Sequence, residues 1–530
     1  MMNDGQIAAA VAKVLEAYGV PADPSAAAPA PAAPVAPAAP TAGSVSEMIA
    51  RGIAKASSDD QIAQIVAKVV GDYSAQAAKP AVVPGAAAST EAGDGVFDTM
   101  DAAVDAAVLA QQQYLLCSMT DRQRFVDGIR EVILQKDTLE LISRMAAEET
   151  GMGNYEHKLI KNRLAAEKTP GTEDLTTEAF SGDDGLTLVE YSPFGAIGAV
   201  APTTNPTETI ICNSIGMLAA GNSVIFSPHP RATKVSLLTV KLINQKLACL
   251  GAPANLVVTV SKPSVENTNA MMAHPKIRML VATGGPGIVK AVMSTGKKAI
   301  GAGAGNPPVV VDETADIEKA ALDIINGCSF DNNLPCIAEK EIIAVAQIAD
   351  YLIFSMKKQG AYQITDPAVL RKLQDLVLTA KGGPQTSCVG KSAVWLLNKI
   401  GIEVDSSVKV ILMEVPKEHP FVQEELMMPI LPLVRVSDVD EAIAVAIEVE
   451  HGNRHTAIMH STNVRKLTKM AKLIQTTIFV KNGPSYAGLG VGGEGYTTFT
   501  IAGPTGEGLT SAKSFARKRK CVMVEALNIR

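Results

Sequence analysis

The chain has 530 residues, 47% of them hydrophobic, with 48 Lys and Arg against 54 Asp and Glu and a formal net charge of −6. That small acid excess excludes a nucleic-acid surface built on phosphate neutralisation, so any anionic cofactor must be gripped locally. Seven scattered cysteines (117, 212, 249, 328, 336, 388 and 521) lack the spacing of a zinc site and the even count of a disulfide framework, so a reducing cytoplasmic setting and no metal are expected. No stretch holds eighteen uninterrupted apolar residues, and neither a membrane span nor a secretory leader is expected.

Residues 5–18 place Ile7, Val11, Val14, Leu15 and Tyr18 at helical spacing, an amphipathic stripe that Gly19 and Pro21 terminate. Ala22 to Gly43 is almost only Ala and Pro and reads as a spacer. Asp60 to Tyr73 then repeats the first helix at a constant offset, with Ile7/Ile62, Val11/Val66, Lys13/Lys68, Val14/Val69 and Tyr18/Tyr73 identical. A second Ala/Pro/Gly stretch runs from Ala75 to Gly95. Short tethered helices are marginal alone and gain stability by docking an apolar face, so residues 1–94 are expected to be a disordered extension whose helices, at about 5–18 and 60–73, bind a partner. Their polar faces lack the Lys/Arg richness of membrane-surface helices.

The body begins near Val96. Asp98 to Lys136 predicts long helices, one of them capped at Thr120, and Gly151 and Gly153 end the next. Strands at Leu186–Tyr191, Gly195–Ala201, Ser223–Ser227 and Leu256–Val260 then alternate with helices at 207–220 and 232–250. That alternation predicts an α/β, doubly wound parallel sheet whose ligands sit at the carboxyl ends of the strands.

Three stretches carry chemistry on their own residues. Pro202-Thr-Thr-Asn-Pro-Thr-Glu208 follows a buried strand and opens a helix, where backbone N–H groups and a side-chain amide can hold an oxyanion. Thr283-Gly-Gly-Pro-Gly287 also joins a strand to a helix, a natural phosphate site at Thr283, Gly284, Gly285 and Gly287. Cys336 closes the Gly- and Asn-rich segment Asn326 to Cys336, directly after Pro335 and ahead of the strand-like run Ile337–Val345. A thiol held this way can face a cleft and attack an electrophilic carbonyl carbon.

The pattern Phe330-x-Asn332-x-x-x-Cys336 resembles the nucleophile loop of the aldehyde dehydrogenase superfamily, and further landmarks of that family occur in order on both sides of it over roughly residues 96 to 530. Pro202 to Pro206 is similar to the family's Pro-Trp-Asn-Phe-Pro loop in its CoA-acylating variant, which implies cofactor contacts at Pro202 and Thr203 and leaves the oxyanion role open between Thr204 and Asn205. Ser227 stands where ordinary members carry a ribose-binding Lys, with His229 close by. Aligned on Asn306-Pro307, Gly301 stands where hydrolytic members carry the Glu that activates water; without that base a thiol acceptor can win. Glu425 matches the carboxylate on the nicotinamide ribose, and His455 an active-site histidine of the acylating branch.

The resemblance implies an aldehyde dehydrogenase-like fold with a nucleotide-binding domain over 95–312 carrying a strand arm near 176–192, a catalytic domain over 313–485, and a C-terminal return and oligomerisation segment over 486–530. It further implies a microcompartment enzyme that converts a short-chain aldehyde, propionaldehyde first, with CoA and NAD⁺ to acyl-CoA and NADH through a Cys336 thioester. Reduction of acyl-CoA or hydrolysis to free acid are the alternatives. The N-terminal extension resembles encapsulation peptides, which implies shell or cargo proteins as partners in the compartment lumen, and a homodimer or homotetramer is expected.

Overall fold

The computed structural model describes residues 94–529. The two helices expected in the N-terminal extension lie outside them.

The first sheet is wholly parallel. It contains β1 (Val96–Phe97), and then, after β2 (Glu178–Gly182) and β3 (Gly185–Pro193), which belong elsewhere, β4 (Ala196–Ala201), β5 (Ser223–Pro228), β6 (Val257–Val260), β7 (Met279–Thr283) and β8 (Lys298–Ala302), in the order β1-β6-β5-β4-β7-β8. All six residues of β5 are buried; a short strand apolar on both faces is what a sheet covered on both sides requires. The helix Pro206–Ala219 that follows β4 is buried along its whole length, so it occupies the interior and not the periphery. Its start is set by Pro206 at the first helical position, where a missing N–H costs nothing.

Two local expectations change. The helix Met119–Leu134 is capped by Ser118, not Thr120: the Ser118 hydroxyl accepts the Asp121 N–H at 3.1 Å and the Asp121 carboxylate accepts the Ser118 N–H at 3.2 Å. This reciprocal pair satisfies two donors at once, and Thr120 falls inside the first turn. The helix Lys136–Thr150 does end on Gly151, whose φ of 63° is left-handed.

The second sheet is also parallel, and its strands are β9 (Pro308–Val311), β10 (Glu341–Val345), β11 (Ala361–Gln363), β12 (Val410–Glu414), β13 (Ile430–Val436), β14 (Thr456–His460) and β15 (Ile478–Lys481), in the order β11-β12-β13-β10-β9-β14-β15. Here β9 pairs with β10 and β14 near the middle of the sheet. The division between the two halves therefore falls between Ala302 and Pro308, and an expected boundary at 312 would strip this sheet of an inner strand. Two short antiparallel strands, β16 (Ile501–Ala502) and β17 (Gly508–Leu509), precede β18 (Ala516–Val524). β18 lies antiparallel to β3 from Ala516↔Pro193 to Val524↔Gly185, with β2 on the other side of β3. This three-stranded arm contains the strands expected near 176–192. Among the described residues no helix is long and apolar enough to cross a membrane.

Candidate active site

The helix Ile317–Ser329 delivers the nucleophile turn. Just beyond its end, Asp331, Asn332 and Asn333 have φ of 49°, 55° and 63°, three consecutive residues in a region that L-residues enter at a cost. Side chains of the same turn hold it. The Asn332 amide donates to the Gly390 carbonyl at 2.9 Å, and the Asn333 amide donates to the Cys328 and Glu339 carbonyls at 3.0 and 2.9 Å. Lys340 Nζ donates to Asn333 Oδ1 at 2.6 Å. The Asp331 carboxylate accepts the Asn154 N–H at 2.9 Å, and a Cβ on Gly153 would collide with it. Three polar residues in a row thus give Cys336 a rigid approach.

Cys336 is half-buried, enclosed by protein yet reached from a cavity of about 710 Å³. Burial pushes its thiol up to about 12, with the Glu425 carboxylate adding to the rise and Lys340 and Lys161 opposing it. Glu425 is itself pushed up to about 7 by burial, against the pull of Lys340, and its Oε1 has no hydrogen-bond partner. His455 is buried; its Nδ1 lies 2.9 Å from Thr456 Oγ1, its backbone N–H donates to Glu450 Oε1 at 2.9 Å, and its Nε2 has no partner. Burial holds its imidazole down at about 3, so the ring is neutral. A Cβ on Gly305 would come within 2.8 Å of both the Cys336 carbonyl oxygen and His455 Cγ. Only glycine lets these two segments meet.

Across the cavity, Asn205 Oδ1 accepts Lys161 Nζ at 2.7 Å and Asn205 Nδ2 donates to Thr204 Oγ1 at 3.2 Å. The side chain of Asn205 therefore does not cap the helix that begins at Pro206. The Ser227 hydroxyl is 2.7 Å from Thr268 Oγ1, and His229 Nδ1 accepts the Arg231 N–H at 3.1 Å. Thr283 Oγ1 is 2.8 Å from Thr500 Oγ1.

Of the residues singled out from sequence, Pro202, Thr203, Thr204, Asn205, Ser227, His229, Thr283, Gly284, Gly285, Cys336, Glu425 and His455 line this one cavity, at the carboxyl ends of β4, β5, β7 and β8. Gly287 and Gly301 do not. Gly287 is already within the helix Pro286–Met293. Gly301 pairs with Ala282 inside β8, and a Cβ there would meet Val289 Cγ1 at 2.6 Å. Its side position faces that helix, and the neighbouring Ala302, Gly303 and Ala304 form the cavity wall instead.

Sequence reasoning passed over the charges beneath the site. Lys158, Lys161, Glu208 and Asp331 are all fully buried, and so, nearly, is Lys340. Lys158 and Lys161 are three apart on the helix Tyr155–Lys168, with Ala165 continuing the same face. That run of Lys, Lys and Ala was the available signal, and it reads more readily as a solvated face.

The aldehyde dehydrogenase family matches residues 86–374 and 403–502, and the chain belongs to it. A propanal dehydrogenase (CoA-propanoylating) of Salmonella typhimurium is 53% identical over 440 residues, covering 83% of this chain and 94% of that protein. A propionaldehyde dehydrogenase of Rhodopseudomonas palustris, solved with bound CoA and an acylated cysteine, is 86% identical with a TM-score of 0.82 and covers 82% of this chain and 100% of its own. One from a fucose-utilisation bacterial microcompartment of Clostridium phytofermentans is 56% identical with a TM-score of 0.81, covering 83% of this chain and 100% of its own.

Proposed function

We propose that this chain is a CoA-acylating aldehyde dehydrogenase of short-chain aldehydes, with propionaldehyde the favoured substrate: aldehyde, CoA and NAD⁺ give acyl-CoA, NADH and a proton. One observation carries the reading. Cys336 shares its cavity with an amide suited to an oxyanion, while the wall from Ala302 to Ala304 carries no carboxylate to activate water and the lining's acids, Glu424 and Glu425, come from a different loop. The CoA-propanoylating relative and the R. palustris enzyme with its acylated cysteine support the same reaction.

The residues fit the two nucleotides. Glu425 Oε1 is unpartnered, as a carboxylate awaiting ribose hydroxyls would be. A Cβ on Gly285 would meet nothing within 4 Å, so phosphate can approach the backbone ahead of the helix Pro286–Met293. Ser227, tied to Thr268, leaves room where a lysine would reach in. The nicotinamide, when bound, supplies the hydride acceptor.

The protein's own groups divide the rest. Glu425, with a value near neutrality, suits the proton of the Cys336 thiol. The sulfur adds to the aldehyde carbonyl, and Asn205 Nδ2, together with backbone N–H groups, holds the oxyanion. Loss of hydride leaves a thioester on Cys336, and the CoA sulfur then attacks that carbonyl and releases the Cys336 thiolate. His455 is too weak a base to take a proton at neutral pH, so its role is to brace the thioester region through the packing at Gly305 and to offer Nε2 as a hydrogen-bonding group. The test is NADH absorbance with propionaldehyde, with and without CoA. Sustained NADH production should require CoA and yield propionyl-CoA; sustained turnover to propionate without CoA would overturn the proposal.

The same reading extends to location. Residues 1–94 serve as a docking extension that delivers the enzyme to a microcompartment lumen through shell or cargo proteins, and a homodimer or homotetramer is built on the arm of β2, β3 and β18. Two related apolar stripes on Ala/Pro tethers support the first point, and the microcompartment relative adds to it. A truncation starting at Gly95 should keep its activity and lose co-purification with shells. Full entry into shells without the extension would refute the assignment.

A further inference from the structure

Beneath the cavity, one ammonium joins the two halves of the site. Lys161 Nζ lies 2.6 Å from Asp331 Oδ2, 2.9 Å from Glu208 Oε1 and 2.7 Å from Asn205 Oδ1, and none of the three ionised side chains is exposed at all. An ammonium has three donors and no acceptor; one donor goes to Asn205 Oδ1, and the two carboxylates lie at ion-pair distance from the same nitrogen. Asp331 belongs to the left-handed turn that carries Cys336; Asn205 belongs to the loop after β4. Lys158 reinforces the connection, with Nζ 3.3 Å from Asp331 Oδ2 and 3.4 Å from the Thr204 carbonyl.

We propose that Lys161 is a positioning residue for acyl-enzyme formation, fixing the Asn205 amide and the Asp331 turn relative to one another so that the oxyanion donor and the Cys336 sulfur stand in one geometry. Because a lysine can only donate, the oxygen of Asn205 must face it. The amide nitrogen is then turned away, with one N–H on Thr204 Oγ1 and the other free for the cavity that Cys336 lines. A neutral partner able both to give and to accept would leave the amide free to flip. The two ammoniums and two carboxylates balance in charge, and a buried ion pair is often no more stabilising than an apolar replacement, so the arrangement is better explained by the orientation it imposes. The inference rests on Cys336 and Asn205 acting as proposed above, not on CoA being the acceptor.

The test uses full-length enzyme and the pre-steady-state burst of NADH with propionaldehyde in the absence of CoA. Lys161→Met combined with Glu208→Gln preserves charge balance around the remaining Lys158–Asp331 pair. This variant should fold with a near wild-type Tm, bind NAD⁺ with unchanged Kd and keep KM for the aldehyde within about threefold, while its burst rate falls roughly 100-fold, the scale of losing one oriented oxyanion donor. In an Asn205→Ala background the same pair of changes should cost less than about threefold more, because the effect passes through Asn205. Lys161→Arg keeps the charge but not the three-acceptor geometry; it should also fold and lose at least tenfold in burst rate, and it decides the matter if the double variant fails to fold. A folded variant of either kind with a burst within threefold of wild type, or a loss that multiplies fully with that of Asn205→Ala, would overturn the proposal. If the wild-type enzyme gives a burst but releases free acid, the CoA-acylating reading fails and the Lys161 comparison still stands.

Discussion

Glu425→Gln should make Cys336 more reactive toward a small alkylating agent while making the enzyme slower, and the first effect should depend on pH in a specific way. At pH 8 an ordinary thiol is roughly a quarter thiolate, whereas one pushed up to about 12 is only about one part in ten thousand. Burial causes most of that rise and survives the substitution; the Glu425 carboxylate contributes the next largest part and does not. Removing one negative charge lowers the thiol value, and each whole unit is worth tenfold in thiolate, so roughly 3- to 30-fold faster alkylation is expected at pH 8. The carboxylate repels only when ionised. Its value near 7 means that the ratio of variant to wild-type rate should approach one below about pH 6 and reach a plateau above about pH 8. Iodoacetamide labelling followed peptide by peptide in a mass spectrometer separates Cys336 from exposed Cys249 and Cys521. A ratio that stays at one across this range, or that is already high at pH 5.5, would refute the electrostatic coupling. Steady-state turnover of the same variant should fall at least tenfold, since both the base and the expected ribose contact are lost.

Cys336→Ala should abolish acyl-CoA formation and leave nucleotide binding intact, whereas Cys328→Ala, at a thiol that is fully buried and pushed still higher, should affect stability more than turnover; NADH assays and Tm separate the two. Gly301→Glu should not create a hydrolase: the new side chain would meet Val289, and overpacking of about 1–3 kcal/mol should appear as a lower Tm without release of free acid. Glu339 accepts the Ser485 N–H and hydroxyl, both at 2.7 Å, and burial pushes its carboxyl up to about 7. A raised acid favours its protonated form in the folded state, so the stability it contributes is fully present below about pH 4.3 and is lost as pH rises through 7. Glu339→Gln should therefore gain Tm relative to wild type at pH 8 compared with pH 5; a difference independent of pH would disprove this.

Strands such as β4 and β5 were legible because short apolar runs bounded by Gly, Pro and Asn have few other ways to be buried. The cavity's lining was legible where it lies at strand ends, for the parallel sheet itself brings Pro202, Ser227 and Thr283 together. What could not be read were facts decided by partners distant in sequence. Gly301 looked like part of the site, yet the alternation of β8 turns its side position to Val289. The boundary expected at 312 failed because β9 is short and takes its place only through hydrogen bonds to β10 and β14. Which way the Asn205 amide faces could not be read, because its oxygen is taken by Lys161, 44 positions earlier. A lysine in a helix carries no local mark of whether it faces water or a buried Asp331, and that distinction settles the geometry around Cys336.

The arm also constrains how the polypeptide can be made. β3 and β18 pair along nine residues although Arg517 and Pro193, joined by a hydrogen bond, are 324 positions apart. During synthesis β3 therefore emerges long before its neighbour and waits with only β2 beside it, an antiparallel hairpin whose β3 edge is still open. Such an edge can recruit any passing strand. The mixture of exposed charge and apolar residues on β18, from Arg517 to Val524, is thus the last section of the arm to arrive, and nascent chains stalled before it are the species most prone to associate wrongly.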